Sequence, residues 1–237
     1  MKNTLLILAM LLGLSTQAQS LNDFFSKTDQ LLKQHVSNGK VDYAAIQSDP
    51  ALLEETLRIA EGISVSTSDA KNYQAFWINA YNVAVLKGIV DNYPTKSPLD
   101  VKGFFDKTTY ALGGKNITLN DIENKQLRGK FDDARFHFVL VCAGLGCPPI
   151  IPQAYRPESL DVQLTKQTQL AINNPQFLRV NDKKKRVQFS QIMEWYNQDF
   201  TQHGQTLIEF ANKYRKQSIP SDYKTSYYAY DWRLNSK

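Results

Sequence analysis

Apolar residues recur at helical spacing over several stretches of the chain. From residue 21 they recur every three or four positions until Asn38-Gly39, which predicts an amphipathic helix followed by a turn. A second helix is predicted between Asp49-Pro50 and Gly62. Asp and Pro favour the start of a helix, and Gly favours its end.

The stretch from Ala75 to Val90, AFWINAYNVAVLKGIV, is apolar nearly all round and predicts a central, buried helix. Asn79 and Asn82 lie three positions apart on one face of this helix, so each needs hydrogen-bond partners once buried. Two interpretations stay open. The amides tie down neighbouring loop backbone, or they line a pocket and bind a ligand or an oxyanion.

Short alternating segments with glycine-containing or polar turns indicate a small amount of sheet. Residues 108–112 and 116–119 flank a Gly-Gly-Lys turn, and residues 177–180 and 187–189 flank a basic turn, so each pair predicts a hairpin. The run Phe136 to Cys142 predicts an interior strand. With an extended tail, these elements predict an α+β fold. A helical majority packs on a small mixed or antiparallel sheet, and the central helix lies against it.

Both cysteines lie in or beside the loop after this predicted strand, in the segment RFHFVLVCAGLGCPP at 135–149. Alternation along a regular strand would place His137 and Cys142 on opposite faces, so only Cys147 could approach either partner. For the cysteines, two interpretations stay open: they form a disulfide, or one of them is a nucleophilic thiol. For His137, two interpretations also stay open: it is a structural residue, or it is a general base.

Glu123 also has two interpretations. If Asn120 caps the helix, Glu123 lies three residues later, at the position of a capping-box partner. Its helix directly precedes the predicted strand, so Glu123 could also meet Arg128, Arg135 or His137. In a thiol mechanism, its carboxylate would orient the imidazole.

The amino-terminal sequence predicts the localisation of the protein. One charge at Lys2, an apolar run at 5–14 and small residues up to Ala18 are typical of a secretory signal peptide at 1–18, with cleavage near Gln19. We therefore expect a single globular domain at 19–237, soluble and periplasmic or extracellular. No later segment reaches the ~18 consecutive apolar residues of a membrane helix.

Composition and net charge indicate which classes of partner, metal and cofactor the protein is expected to bind. The net charge of +5 is small and spread along the chain, which argues against nucleic acid. The three scattered histidines and the spacing of the two cysteines fit no zinc pattern, so no metal or cofactor is predicted. The oligomeric state is not predicted.

Five blocks occur in an order that resembles one family. They are FWINAYN, TYALGGKNITLNDIEN with QLR after it, HFVLVCAGLGCPP, EWYNQDF and YDWRLN. From about Tyr43 to Asn235 the chain resembles the family known as domain of unknown function 547 (DUF547), in its exported bacterial type. The resemblance implies no reaction, because the activity of the family is not established. Some members carry serine at the position of Cys147, which weighs against both an obligatory disulfide and a universal Cys147 nucleophile.

Two functions are compatible with these patterns. The first is a thiol-dependent hydrolase or acyl transferase that uses Cys147 or Cys142, with His137 and Glu123. The second is a non-catalytic module with a structural disulfide, whose recess binds a peptide, a glycan or another small molecule. The predicted binding residues are Trp77, Asn79, Asn82, Arg128, Arg135, Asp231 and Trp232.

Overall fold

The computed structural model describes residues 2–237, with side chains from residue 19 onward. The predicted signal peptide at 1–18 therefore lies outside the residues whose side chains are described. Helices make up about half of the described chain, and its strands form three small sheets. This arrangement confirms a mostly helical α+β fold. Within the described residues, no helix is both long and apolar enough to cross a membrane.

The first part of the chain surrounds one buried helix. Its opening elements are α1 (Lys2–His35), β1 (Val36–Ser37), β2 (Lys40–Val41), α2 (Tyr43–Ser48), α3 (Ala51–Glu61) and α4 (Ala70–Val90). They are followed by a 3-10 turn (Pro98–Asp100), β3 (Thr109–Leu112), β4 (Lys115–Thr118), α5 (Leu119–Asp121), a π-helix (Ile122–Arg128) and a 3-10 helix (Ala134–Phe138).

The second part combines short helices with a three-stranded sheet. Its elements are α6 (Leu160–Asn173), β5 (Leu178–Asn181), β6 (Arg186–Ser190), α7 (Ile192–Trp195), α8 (Asn197–Phe200), α9 (Leu207–Asn212) and β7 (Lys224–Tyr228), with 3-10 turns at Asp182–Lys184 and Gln202–Gly204. Strand β6 pairs antiparallel with β5 and parallel with β7, so Val187 lies opposite both Val180 and Thr225.

The central helix α4 is buried along most of its length, as its sequence predicts. Asp69 caps it by accepting a hydrogen bond from the backbone N–H of Asn72. Its main neighbours are α1, α2, α3 and the π-helix. The single predicted sheet is divided into three, and α4 contacts one of them, the β3–β4 hairpin, through Trp77 and Gly88.

The two predicted hairpins are confirmed as β3–β4 and β5–β6, and a further hairpin, which was not predicted, forms at the predicted Asn38-Gly39 turn. Strands β1 and β2 are joined by Asn38 and Gly39, whose φ angles of 51° and 74° are the left-handed pair that a tight hairpin turn requires. Strands β3 and β4 are joined by Gly113 and Gly114, also left-handed. A Cβ atom on Gly113 would lie 2.8 Å from the Trp77 ring, so this turn also needs glycine for close packing.

The predicted interior strand from Phe136 to Cys142 is wrong. Residues Ala134–Phe138 form a 3-10 helix capped by Asp133, and the chain that follows is irregular apart from a bridge between Gly144 and Leu234. Most of this segment is nevertheless buried. Strand alternation therefore does not decide which way its side chains point.

The two buried asparagines of α4 bond to loop backbone. The Asn82 side chain donates to Val139 O and accepts from Val141 N, both at 2.9 Å. The Asn79 side chain donates to Tyr155 O at 2.7 Å and accepts from Tyr155 N at 3.0 Å. Both amides thus fix irregular backbone on the surface of α4.

The carboxyl-terminal tail also binds the irregular segment that Asn82 contacts. We define residues 142–147 of that segment as the cysteine loop. Three backbone bonds of 2.8 Å join the loop and the tail, from Leu145 N to Arg233 O, from Gly146 N to Asp231 O and from Asn235 N to Ala143 O. Asn235 also accepts a hydrogen bond from the Tyr43 hydroxyl, so the tail connects the loop to the start of α2.

Two hydrophobic clusters meet at this loop. The first is built around α4, and the second around the β5–β6–β7 sheet and helices α7 to α9. Cys147 packs against both clusters, whereas Cys142 packs against the second. The loop therefore lies at the junction of the two cores.

We expect Asn82→Ala to lower the free energy of unfolding by about 2–4 kcal/mol, because it leaves a buried N–H and a buried C=O without partners. Urea titration followed by circular dichroism measures this loss. Asn92→Ala is the matched control, since Asn92 is exposed and its side chain donates a local hydrogen bond to Gly88 O, four residues earlier. Equal losses in the two variants would contradict a special role for Asn82.

Candidate active site

A cavity of about 380 Å³ lies where the cysteine loop meets α7 and the tail. Cys142, Cys147, His137 and Glu123 all line it. The structure thus brings together the four residues that sequence reasoning proposed as catalytic candidates. It also places His137 and Cys142 on one cavity, which the predicted strand would have prevented.

The two sulfurs are in contact but are not bonded. Their Sγ atoms lie 2.6 Å apart, beyond the ~2.05 Å of a disulfide bond, and both cysteines are free. The predicted disulfide is therefore not found. The pair is instead a dithiol whose two sulfurs share hydrogen-bond partners.

Cys142 Sγ lies within hydrogen-bond distance of several groups around it. The Tyr230 oxygen lies 2.7 Å away, the Cys147 sulfur 2.6 Å away, and the backbone N–H of Gly144 also points to it. Tyr230 additionally lies 2.9 Å from Cys147 Sγ. Because a phenol carries a single proton, Tyr230 can donate to only one sulfur at a time.

These contacts separate the acidities of the two thiols. Burial raises the pKa of Cys142, but hydrogen bonds from Cys147, Tyr230 and Gly144 outweigh it, so the pKa falls below its ordinary value. Burial, and then the hydrogen bond with Cys142 and its charge, raise the pKa of Cys147 well above its ordinary value. Within the pair, Cys142 is therefore the more acidic thiol.

Local backbone geometry supports this arrangement. Ala143 has a φ of 64°, in the left-handed region that alanine rarely adopts, and it turns the chain so that the Gly144 N–H reaches the Cys142 sulfur. Gly146 serves a different need, because a Cβ atom there would lie 2.8 Å from the Tyr230 ring. Only glycine lets the ring approach the loop so closely.

His137 is held between two carboxylates. Its Nε2 lies 2.7 Å from Asp199 Oδ2, and its Nδ1 lies 3.9 Å from Glu123 Oε1. The ring also stacks on Tyr196 with 4.0 Å between ring centroids, and the side chain is only 2% exposed. These contacts fix both the position and the orientation of the imidazole.

Asp199 joins this histidine to Arg128. The guanidinium donates two parallel hydrogen bonds of 2.6 and 2.9 Å to the Asp199 carboxylate and lies over the Tyr196 ring. Burial raises the pKa of Asp199, but the bonds from His137 and Arg128 outweigh it and hold the pKa well below its ordinary value. Asp199 is therefore a carboxylate at neutral pH.

Glu123 does not form the predicted capping box. Thr118, rather than Asn120, caps α5 by accepting from Asp121 N, and Glu123 begins the buried turn of the π-helix. Burial, and then the negative charge of Glu123, raise the pKa of Tyr196. π-Helical turns often occur at functional sites, and this one places a carboxylate on the cavity.

The predicted binding residues fall in different places. Trp232 lines the cavity, and Arg128 acts on it through Asp199. Asn79 and Asn82 bond to backbone as described. The others lie elsewhere: Trp77 is enclosed in the α4 core, Arg135 pairs with Asp133 and Asp161, and Asp231 pairs with Arg233.

Sequence reasoning missed Asp199, Tyr230 and Tyr196. Asp199 lies 62 positions from His137, and Tyr230 lies 88 positions from Cys142, so no local pattern connects them. Their only signal was membership of the blocks EWYNQDF and YDWRLN, which were interpreted as a source of aromatic and polar recess residues.

The fold and this cavity define an α+β protein in which a half-buried dithiol and a carboxylate-bound histidine line one cavity. Residues 65–170 match the family model described as Protein of unknown function, DUF547. This match supports membership of that family, which the sequence blocks also predict. The matched segment is shorter than the resemblance from Tyr43 to Asn235, and it includes both cysteines. No curated protein and no solved structure matched the chain.

We expect Asp199→Asn to lower the free energy of unfolding at pH 7 by about 2–3 kcal/mol, because the variant loses its charge-assisted bonds. The native pKa of Asp199 is depressed, so its stabilisation is complete above the unfolded value of 3.8 and is lost as the pH falls below it. Urea midpoints at pH 7, 4 and 2.5 should therefore fall less steeply with acid in the variant.

Asp161→Asn is the control for this measurement, because Asp161 pairs with Arg135 while its side chain is 78% exposed. It should retain the acid dependence of the unmodified protein. An Asp199→Asn variant with that same dependence would show that the His137–Asp199–Arg128 contacts do not stabilise the fold.

Proposed function

We propose that this protein is a thiol-dependent hydrolase or acyl transferase whose nucleophile is Cys142. The observation that carries this assignment is the environment of its sulfur. Cys142 lines a cavity shared with His137 and Glu123, and donors from Tyr230 and the Gly144 backbone stabilise its thiolate. A cysteine is nucleophilic as the thiolate, and it needs a cavity through which a substrate can reach it.

The reaction has two steps. The Cys142 thiolate attacks the acyl carbon of an ester, thioester or amide, and the bond to the leaving group breaks while the carbon–sulfur bond forms. The leaving group takes a proton and departs. Water or another acceptor then gives up a proton, attacks the thioester carbon and releases the Cys142 thiolate.

His137 is assigned the proton transfers of both steps. Asp199 binds Nε2, which leaves Nδ1 on the side of Glu123 to exchange a proton with the substrate. Asp199 and Arg128 are positioning residues, because they fix the imidazole without lining the cavity. Glu123 is an additional carboxylate that accepts or returns a proton at the cavity surface.

The second candidate is a non-catalytic binding module for a peptide or a glycan. It is favoured by one observation. Within the described chain, the hydrogen-bond partners of the two sulfurs are Tyr230, backbone groups and each other, and His137 bonds neither sulfur. The mostly aromatic cavity wall would suit such a module equally well. The structural disulfide that this hypothesis included is dropped from it, since both cysteines are free.

We expect iodoacetamide to alkylate Cys142 faster than Cys147 at pH 7, with a midpoint below the ~8.5 of an ordinary thiol. Peptide mass spectrometry across pH 5 to 9 measures both rates. Tyr230→Phe removes a donor to the sulfur and should raise the Cys142 midpoint. Tyr228→Phe is the matched control, since its hydroxyl bonds to Phe177 O instead.

The same variants test turnover. A panel of p-nitrophenyl esters and acyl thioesters should be hydrolysed by the unmodified protein, and Cys142→Ala should reduce turnover by at least ~100-fold, as expected for loss of a nucleophile. Cys147→Ser should retain turnover. Equal turnover in Cys142→Ala would exclude this nucleophile. Alkylation as expected with no turnover of any ester or thioester would favour the binding module.

We further propose that the protein is exported and loses residues 1–18, on the basis of its apolar run at 5–14 and the small residues that follow. Intact mass spectrometry of protein recovered from the periplasm of a Gram-negative host should give a chain that starts near Gln19. Leu8→Arg interrupts the apolar run and should leave uncleaved protein in the cytoplasm. Full-length protein in the periplasm would contradict cleavage.

A further inference from the structure

We infer that Trp195 and Trp232 form a subsite for an uncharged aromatic ring on the acyl group of the substrate. This inference rests on the proposed acyl transfer for the identity of the substrate, but the subsite itself is defined by the cavity wall. Both tryptophans line the cavity, together with Phe105 and Tyr230.

The geometry of the wall favours a flat ligand. The Trp195 and Trp232 rings are stacked, with centroids 5.9 Å apart and an angle of 22° between their planes. Phe105 lies 6.1 Å from Trp232 on another side. A ligand ring can stack on the indoles or meet them edge to face, the two arrangements that aromatic rings prefer.

Exposure at the edge of the wall points to a ligand. Trp195 is 48% exposed, although its ring is large and apolar. An exposed aromatic side chain beside a cavity is typical of a binding site, because contact with a ligand removes its apolar surface from water. Trp77, by contrast, is almost fully enclosed and has no such role.

The charges in the cavity select against anions. Glu123 contributes a carboxylate to the wall, and none of the described residues that line the cavity is Lys or Arg. The nearby Arg128 is already paired with Asp199, and His137 bonds to the same carboxylate. A carboxylate or phosphate on the ligand would thus meet the Glu123 carboxylate without a free Lys or Arg to bind it.

Hydroxyl-rich ligands fit less well than an apolar ring. Leu140 and Ile192 complete the wall. Its polar side chains include Asn120, Glu123 and His137, and His137 already bonds to Asp199. Sugar hydroxyls buried here would lose hydrogen bonds to water without full replacement. The volume of about 380 Å³ is near the lower end of the ~300–1,000 Å³ range of small-molecule sites.

Tyr230 connects this wall to the nucleophile. Its ring lies 4.5 Å from the Trp232 ring and 5.3 Å from the Trp195 ring, and its hydroxyl touches both sulfurs. A ring bound against the tryptophans would therefore place an attached carbonyl group near the Cys142 sulfur. This is the juxtaposition that an arylacyl substrate requires.

The test uses Cys142→Ala protein, in which binding is measured without reaction. Quenching of tryptophan fluorescence and calorimetry report the affinity for methyl phenylacetate, its carboxylate-bearing analogue methyl 4-carboxyphenylacetate, methyl cyclohexylacetate and N-acetylglucosamine. We expect methyl phenylacetate to bind at least tenfold more tightly than each of the other three. Equal binding of the carboxylate, the cyclohexyl ester or the sugar would overturn the inference.

Wall variants locate the binding. Trp195→Ala and Trp232→Ala, each combined with Cys142→Ala, should weaken methyl phenylacetate at least tenfold, and Trp232→Phe should weaken it less. Leu170→Ala removes a side chain that is 55% exposed on α6 and should change nothing. If Trp232→Ala fails to fold by circular dichroism, Trp195→Ala and Trp232→Phe carry the test. Unchanged affinity in the folded tryptophan variants would overturn the subsite.

The two proposals fail in distinguishable ways. Tryptophan-dependent binding of methyl phenylacetate, with no ester or thioester turnover by the unmodified protein, would retain the subsite and exclude acyl transfer. Turnover that needs Cys142 but is equal for phenylacetyl, cyclohexylacetyl and succinyl esters would retain acyl transfer and exclude the subsite.

Discussion

The site depends on one constraint, which is that buried backbone must find hydrogen-bond partners. Residues 139–147 cross the interior as neither helix nor strand, so regular structure cannot supply those partners. The Asn82 amide supplies hydrogen-bond partners to the backbone of residues 139 and 141. The tail at 231–235 supplies partners to the backbone of residues 143, 145 and 146. The position of the Cys142 sulfur therefore depends on residues from three distant parts of the chain.

A second dependence is electrostatic. His137 is almost fully buried, and a buried imidazole between two carboxylates would leave excess negative charge if no cation were near. Arg128 supplies that cation through its paired bonds to Asp199. The π-helix that carries Glu123 also carries Arg128, so one short element provides both an acid at the cavity and the balancing charge behind it.

Much of the fold could be predicted from local patterns. The buried helix at Ala70–Val90 and the β3–β4 and β5–β6 hairpins depend on periodicity and turn residues, which are local properties. The run from Phe136 to Cys142 was misassigned because strand-forming residues in a row report burial, and burial alone does not distinguish a strand from irregular chain. The four proposed catalytic candidates were found by chemistry, whereas Asp199 and Tyr230 were missed because only tertiary folding brings them to the site.

The cavity is divided along the sequence. Glu123, His137 and both cysteines lie inside the segment 65–170 that matches the family, while Ile192, Trp195 and Trp232 lie outside it. The cysteines and the histidine on one side, and most of the aromatic wall on the other, thus belong to separately encoded stretches that meet at the junction of two cores. A protein built in this way can exchange the stretch that supplies most of the wall while keeping the stretch that supplies the cysteines and the histidine, so relatives that share the matched segment need not share a ligand.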